Sequence, residues 1–122
     1  MIHKTAIIDK NAKIENGSVV FHNALVQRDS IVRKHCIINT NASIDHDCII
    51  NDFVHISPSA TLCGNVSVGE GSHIGAGATI IPNINIGKWC VIGAGAVITK
   101  DVPDYSLVVG IPGKIIKKLK ND

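Results

Sequence analysis

Aromatic side chains are almost missing from this sequence: Phe21, Phe53, Trp89 and Tyr105 are the whole set in 122 residues. A platform that stacks the bases of single-stranded nucleic acid needs more rings than that. Leucine is equally scarce, with 4 copies against 21 Ile and 12 Val. Helical cores draw on Leu and Ala, whereas β-branched side chains suit strands, so a β fold is expected rather than a helical bundle. No sign of charge dominates either. Lys and Arg number 12 against 10 Asp and Glu, and a net charge of +2 gives no electrostatic footprint for nucleic acid. No apolar run approaches a membrane span. The first residues place Asp9 where a secretory leader needs an apolar stretch, so a cytoplasmic protein with no membrane insertion is expected. The cysteines, Cys36, Cys48, Cys63 and Cys90, lack the paired spacing of a zinc site and should stay reduced in that compartment. At 45% apolar and 18% charged, the chain is too apolar to be disordered, and its length suits one domain.

What the sequence does have is a repeat of six. Stepping by six from Ile2 through Ile8, Ile14, Val20 and onward to Ile98 gives 17 positions, and all are Ile, Val or Leu. Two residues before the next anchor, 13 of 17 positions are Ala, Ser or Cys, as at Ala24, Ser30, Cys36 and Cys48. Three residues after each anchor, 12 of 17 are Gly, Asn or Asp, which tolerate left-handed backbone angles. Side chains alternate along an extended segment, so each anchor and the small residue two places before it share one inward face. The Gly/Asn/Asp column then marks a corner every six residues. Three edges close an 18-residue coil, and stacked coils sit roughly 4.8 Å apart. Residues 18 apart therefore become neighbours.

This is the hexapeptide-repeat pattern, and residues 2–102 resemble the left-handed parallel β-helix that it builds. The resemblance implies the hand, which spacing alone does not give. The expected fold is all-β, with nearly six coils over residues 1–102 and a cap of a short strand and a helical turn over 103–122. Such solenoids need a cap. Its Lys114, Lys117, Lys118 and Lys120 suit either a solvated surface or attraction to cofactor phosphates. The outward column carries Ile7, Val19, Leu25, Ile31, Ile37, Ile49, Val91 and Val97. Exposed aliphatics in that number imply a partner surface, which a symmetric homo-oligomer would cover. The resemblance makes that a homotrimer.

Register sorts the chemistry. Cys36, Cys48 and Cys90 fall in the small inward column and read as packing residues, while Cys63 has no base assigned to it. His3, His22 and His35 lie at or near corners and read as solvated. His55 and His73 lie in the outward column, one coil apart. His46 stands at a corner between Asp45 and Asp47, where a carboxylate can fix its tautomer and support the imidazolium. It is read either as a surface histidine in a polar turn or as a base. Eighteen residues on comes Gly64, whose amide a ligand could approach. A base beside an amide donor suits acyl transfer, in which one takes a proton and the other holds the developing oxyanion.

The stretch from Asn39 to Cys48, then Val54-His55-Ile56-Ser57 and Cys63-Gly64-Asn65-Val66, resembles one branch of the hexapeptide acetyltransferases. That branch N-acetylates UDP-linked 4-amino-sugars or O-acetylates sialic acid. The segment Val109-Gly110-Ile111-Pro112-Gly113-Lys114 resembles its C-terminal signature, with Gly113 where Ala is more usual. The resemblance implies an acetyl-CoA-dependent enzyme with active sites at subunit interfaces and no metal. In it His46 matches the general base, Asp47 the acid (usually Glu) that orients it, and Gly64 the glycine facing the acetyl carbonyl. Asn39 matches a sugar contact, and His55 a second histidine near the reacting groups. Gly75, Ala76, Gly77 and Ala94 match the coils along which the acetyl-CoA arm runs, and Lys114 is placed for its phosphates. The branch usually carries an N-terminal βαβ domain for the nucleotide-sugar, whereas here the repeat begins at Ile2. The nucleotide is then expected to be gripped elsewhere or by another chain, or the acceptor to be a different amine or alcohol. Two other classes use such a coil. One is a non-catalytic scaffold or partner subunit. The other is a hydratase of the γ-carbonic-anhydrase type, with zinc on His46, His55 and His73, though the close histidine pair that type requires is missing.

Overall fold

A computed structural model describes residues 1–120; the last two residues of the expected cap lie outside them. Sixteen two-residue strands, from β1 (Ile7–Ile8) to β16 (Val97–Ile98), recur every six residues. They pair in parallel at a separation of 18, as in Ile7 with Leu25, Ile31 with Ile49 and His55 with His73. Three sheets result, and they form the faces of one triangular prism. The prism is a left-handed β-helix of about six turns, as the resemblance implied. No helix in the described residues is long and apolar enough to cross a membrane.

The columns explain the prism. Anchors such as Ile38, Ile44, Ile50, Ile56, Leu62 and Ile74 are fully buried along its axis. Alanines line the core at a first corner (Ala24, Ala42, Ala60, Ala78, Ala96), also fully buried. The second corner holds residues 27–30, 45–48 and 63–66, and the third holds 33–36, 51–54, 69–72 and 87–90. Apart from the buried Val54 and Val66, the small column there holds Ser or Cys, and the serine hydroxyls serve the ladder. Ser72 Oγ donates to Gly87 O at 2.7 Å and accepts from Cys90 N at 2.9 Å. Ser30 does the same with Asp45 O and Cys48 N. Cys36, Cys48 and Cys90 are buried packing residues, as their column implied, and burial pushes the Cys36 and Cys48 thiols up.

Each corner turns on a residue with positive φ, as at Asn23, Asn41 and Ser59, or Asp29, Asp47 and Asn65. The exposed aliphatics divide among the faces: Ile7, Ile49 and Val91 are exposed on three different sheets.

The C-terminal segment departs from expectation. β17 (Ser106–Val109) extends one sheet beside Val91 and Ile92, and β18 (Lys114–Lys118) folds back antiparallel on it. The expected helical turn is a strand. The reason is the Ile115-Ile116 pair, whose β-branched side chains suit a strand next to an open sheet edge. Lys114 begins this strand and lines a cleft of about 280 Å³ with Ile98, Lys100, Asp101 and Gly113.

The Ser72 bridge is testable. Ser72→Ala leaves the Cys90 N–H without its hydroxyl acceptor and Gly87 O without its donor. The expected loss is about 1–3 kcal/mol in urea unfolding at unchanged m-value, whereas an unchanged midpoint would show that the hydroxyl bridges contribute nothing.

Candidate active site

The second corner brings three of the expected residues together. Asp45 Oδ1 accepts from the His46 backbone N–H at 2.7 Å, which ties the turn. Asp47 occupies the positive-φ position, at +59°, and its carboxylate folds back on the preceding residue. His46 Nδ1–H donates to Asp47 Oδ2 at 2.8 Å, since an ionised carboxylate can only accept. In the neutral imidazole that bond puts the proton on Nδ1 and leaves Nε2 as the acceptor. Nε2 faces the next coil, where a Cβ built on Gly64 would lie 2.6 Å from it. Only glycine fits under the ring. The Gly64 carbonyl accepts from Asn83 N, while its amide is bonded to no protein atom among the described residues. Both side chains of the His46–Asp47 pair are nearly half exposed, so a ligand can reach them.

A second group forms at the first corner and the face leading to it. Asn39 Nδ2 donates to His55 Nε2 at 3.2 Å. One coil later the arrangement repeats, with Ser57 Oγ 2.8 Å from His73 Nε2. The two imidazoles are 4.7 Å apart. Burial, followed by the neighbouring His73, lowers the His55 pKa below its usual 6.5. The Asn39 donor favours the same neutral form. Register in the sequence placed His73 one coil from His55 but did not pair it with Ser57. The 16-residue spacing from Asn39 to His55 recurs between them and was the available signal.

Gly75, Ala76, Gly77 and Ala94 lie further along the first corner. Gly75 packs directly on the following coil, with a Cβ there 2.6 Å from Ala94 N. At Gly77 and Gly95 a Cβ would meet nothing within 4 Å. The result is a smooth, open edge. It does not meet the His46 group within one chain, because the width of a face separates the two corners. His46 likewise stands apart from His55 and His73. Among the described residues no group of three or more His, Cys, Asp or Glu side chains could hold a metal ion. His22 and His35 are exposed and His3 is partly so, as expected of corner histidines, and each has a ring partner: His3 and His22 stack at 3.6 Å, and His35 stacks on Phe53 at 5.4 Å.

Residues 65–100 match the bacterial transferase hexapeptide family model. The chain carries the hexapeptide repeat of bacterial transferases. It is similar to the perosamine N-acetyltransferase of Caulobacter crescentus, solved with CoA and GDP-perosamine, at 37% identity and a TM-score of 0.93 over 99% of this chain. It is also similar to the acetyltransferase domain of PglB from Neisseria gonorrhoeae, solved with acetyl coenzyme A, at 45% identity and 0.93 over 94%. WeeI from Acinetobacter baumannii matches at 31% identity and 0.90 over 93%. The chain spans 56% of the length of each of these three proteins. No curated protein matches it.

Two expectations follow from the geometry. In Gly64→Ala the new methyl strikes a side chain, not backbone, so the fold should persist. The His46 ring should swing away, and NMR should show loss of the Nδ1–H tautomer. An unmoved ring would contradict the contact. For His55, the unfolded chain binds a proton more readily than the native one, so stability rises with pH. It should therefore fall as pH drops through 6.5 toward the lowered native value. Urea midpoints between pH 7.5 and 5.5 should fall less in His55→Gln than in wild type.

Proposed function

We propose that this chain forms the catalytic β-helix of an acetyl-CoA-dependent acetyltransferase. It transfers the acetyl group to an amine, rather than a hydroxyl, of a sugar or nucleotide sugar. The observation that carries this reading is the His46 imidazole, tied at Nδ1 to Asp47 and aimed at Nε2 toward Gly64. The similar proteins support it, since they are named as N-acetyltransferases or were solved with CoA.

Acetyl-CoA would supply the acyl group as a thioester. The open edge at Gly77 and Gly95 fits an extended pantetheine chain, with Gly75, Ala76 and Ala94 as its floor and Lys114 near its phosphates. His46 Nε2 takes the proton of the attacking nitrogen as that nitrogen bonds to the carbonyl carbon. Asp47 holds the imidazolium that results. The Gly64 N–H donates to the oxygen that gains charge, and the proton on His46 is then available to the departing sulfur. Asn39 and His55 bind the acceptor, with His55 kept neutral.

The reading requires a second chain. His46 and Gly64 stand at one corner, and Asn39, His55 and the glycine edge at another. A homotrimer in which the second corner of one chain meets the first corner of the next brings them together.

Calorimetry with acetyl-CoA tests the class before any acceptor is chosen. Saturable binding near one site per chain, competed by CoA, is expected. With amino-sugar nucleotides as acceptors, His46→Ala should lose at least about 100-fold in turnover with its circular dichroism unchanged. Near-normal turnover in that variant would overturn the assignment.

A further inference from the structure

The carboxylate that orients His46 has a second partner. Arg28 lies one coil below His46, in the same corner column. Its Nη1 stands 3.5 Å from Asp47 Oδ2, the same oxygen that accepts from His46 Nδ1–H. Its own carbonyl accepts from the Asp47 backbone N–H at 3.1 Å. Asp47 is thus suspended from Arg28 by its main chain and drawn toward it by its side chain. Asp29 shares the guanidinium at 3.3 Å. The other titratable groups facing the imidazole are few. Asp45 is bonded to its backbone amide, Cys63 lies on the coil above, and Lys10 occupies the same column two coils below.

An Asp–His pair alone has a drawback for a general base. The carboxylate that fixes the tautomer also favours the imidazolium, and a protonated base cannot accept a proton. A guanidinium on the same oxygen opposes that second effect without breaking the first.

We propose that Arg28 is a positioning residue for His46: it holds the Asp47 carboxylate against Nδ1 and offsets its charge, so the imidazole keeps one tautomer while remaining free to accept a proton. The catalytic meaning rests on the proposed function, with His46 as base; the coupling itself does not.

The test therefore reads the histidine directly. The ring signals of His46, assigned by their loss in His46→Gln, are followed by NMR against pH in the full chain. Loss of the positive charge that sits on the same carboxylate oxygen as Nδ1, at a solvated surface, should raise the His46 midpoint in Arg28→Ala by about half a pH unit. The Nδ1–H tautomer should fall in the same variant. Arg28→Lys keeps the charge and should restore most of the midpoint, though not the full tautomer fraction. Added salt should shrink the difference between wild type and Arg28→Ala. An unmoved midpoint and tautomer in Arg28→Ala would overturn the proposal. Acetyl-CoA calorimetry on the wild-type protein separates the two ideas. Failure to bind removes the proposed function and leaves the NMR result standing, and an unmoved midpoint with normal binding removes only the role of Arg28.

Discussion

Each coil hangs from its neighbour by backbone hydrogen bonds between residues 17 or 19 apart, which hold residues 18 apart side by side, and nearly everything else follows from that ladder. The bonds run along all three faces, so the interior can be no wider than one anchor and one small residue per edge. A larger side chain in the small column would push two coils apart. A single inserted residue would turn every anchor outward from that point on. The ladder also fixes which side chains meet across coils. Arg28, His46 and Gly64 are separated by 36 residues of sequence in total, yet they form one continuous column.

The ladder places chemistry at corners, because side chains on the faces alternate between the core and the outside and only the turns present several polar groups side by side. It also keeps the corners apart. One prism cannot bring His46 to Asn39 and His55, since its core is packed and rigid. A neighbouring prism can do so without any change in either fold. In the proposed trimer the site is assembled by docking two preformed edges, and uninterrupted repeats with no long loop would still surround a substrate.

The fold was legible because the repeat has no exception in its anchor column, and three independent columns required the same geometry. Register then extended that reading to His46, Asp47 and Gly64. It predicted that they would stack, and the imidazole does lie against the glycine. What it could not show was side-chain reach. Asn39 to His55 and Ser57 to His73 cross between coils at a separation of 16 rather than 18, because a corner side chain reaches upward to a strand. The contact of Arg28 with Asp47 is likewise offset by one residue from the ladder. The C-terminal helical turn was misjudged for a different reason. The lysines there mask an Ile-Ile pair, and the open sheet edge at β17 decides in favour of a strand.

The left-handed corner position also shows how one backbone slot serves different ends. At the first two corners it holds Asn, Asp, Ser or Gly, which adopt that conformation readily. At the third it holds His35, Phe53 and Trp89, with Tyr105 following, all at positive φ. For such residues the conformation costs about 1–2 kcal/mol each. Their rings lie down over the preceding coil: Phe53 stacks on His35, while His35 and Trp89 cover Gly17 and Gly71, where a Cβ would be only 2.2 Å from a ring atom. An aromatic contact contributes about 0.5–1.5 kcal/mol, which is of the same size as the strain. The glycines at 17 and 71 are therefore set by the ring on the next coil as much as by their own φ. At the second corner the same slot does chemistry instead. Placing Asp47 at φ +59° turns its carboxylate back toward His46, so the turn that closes the coil is also the turn that orients the base.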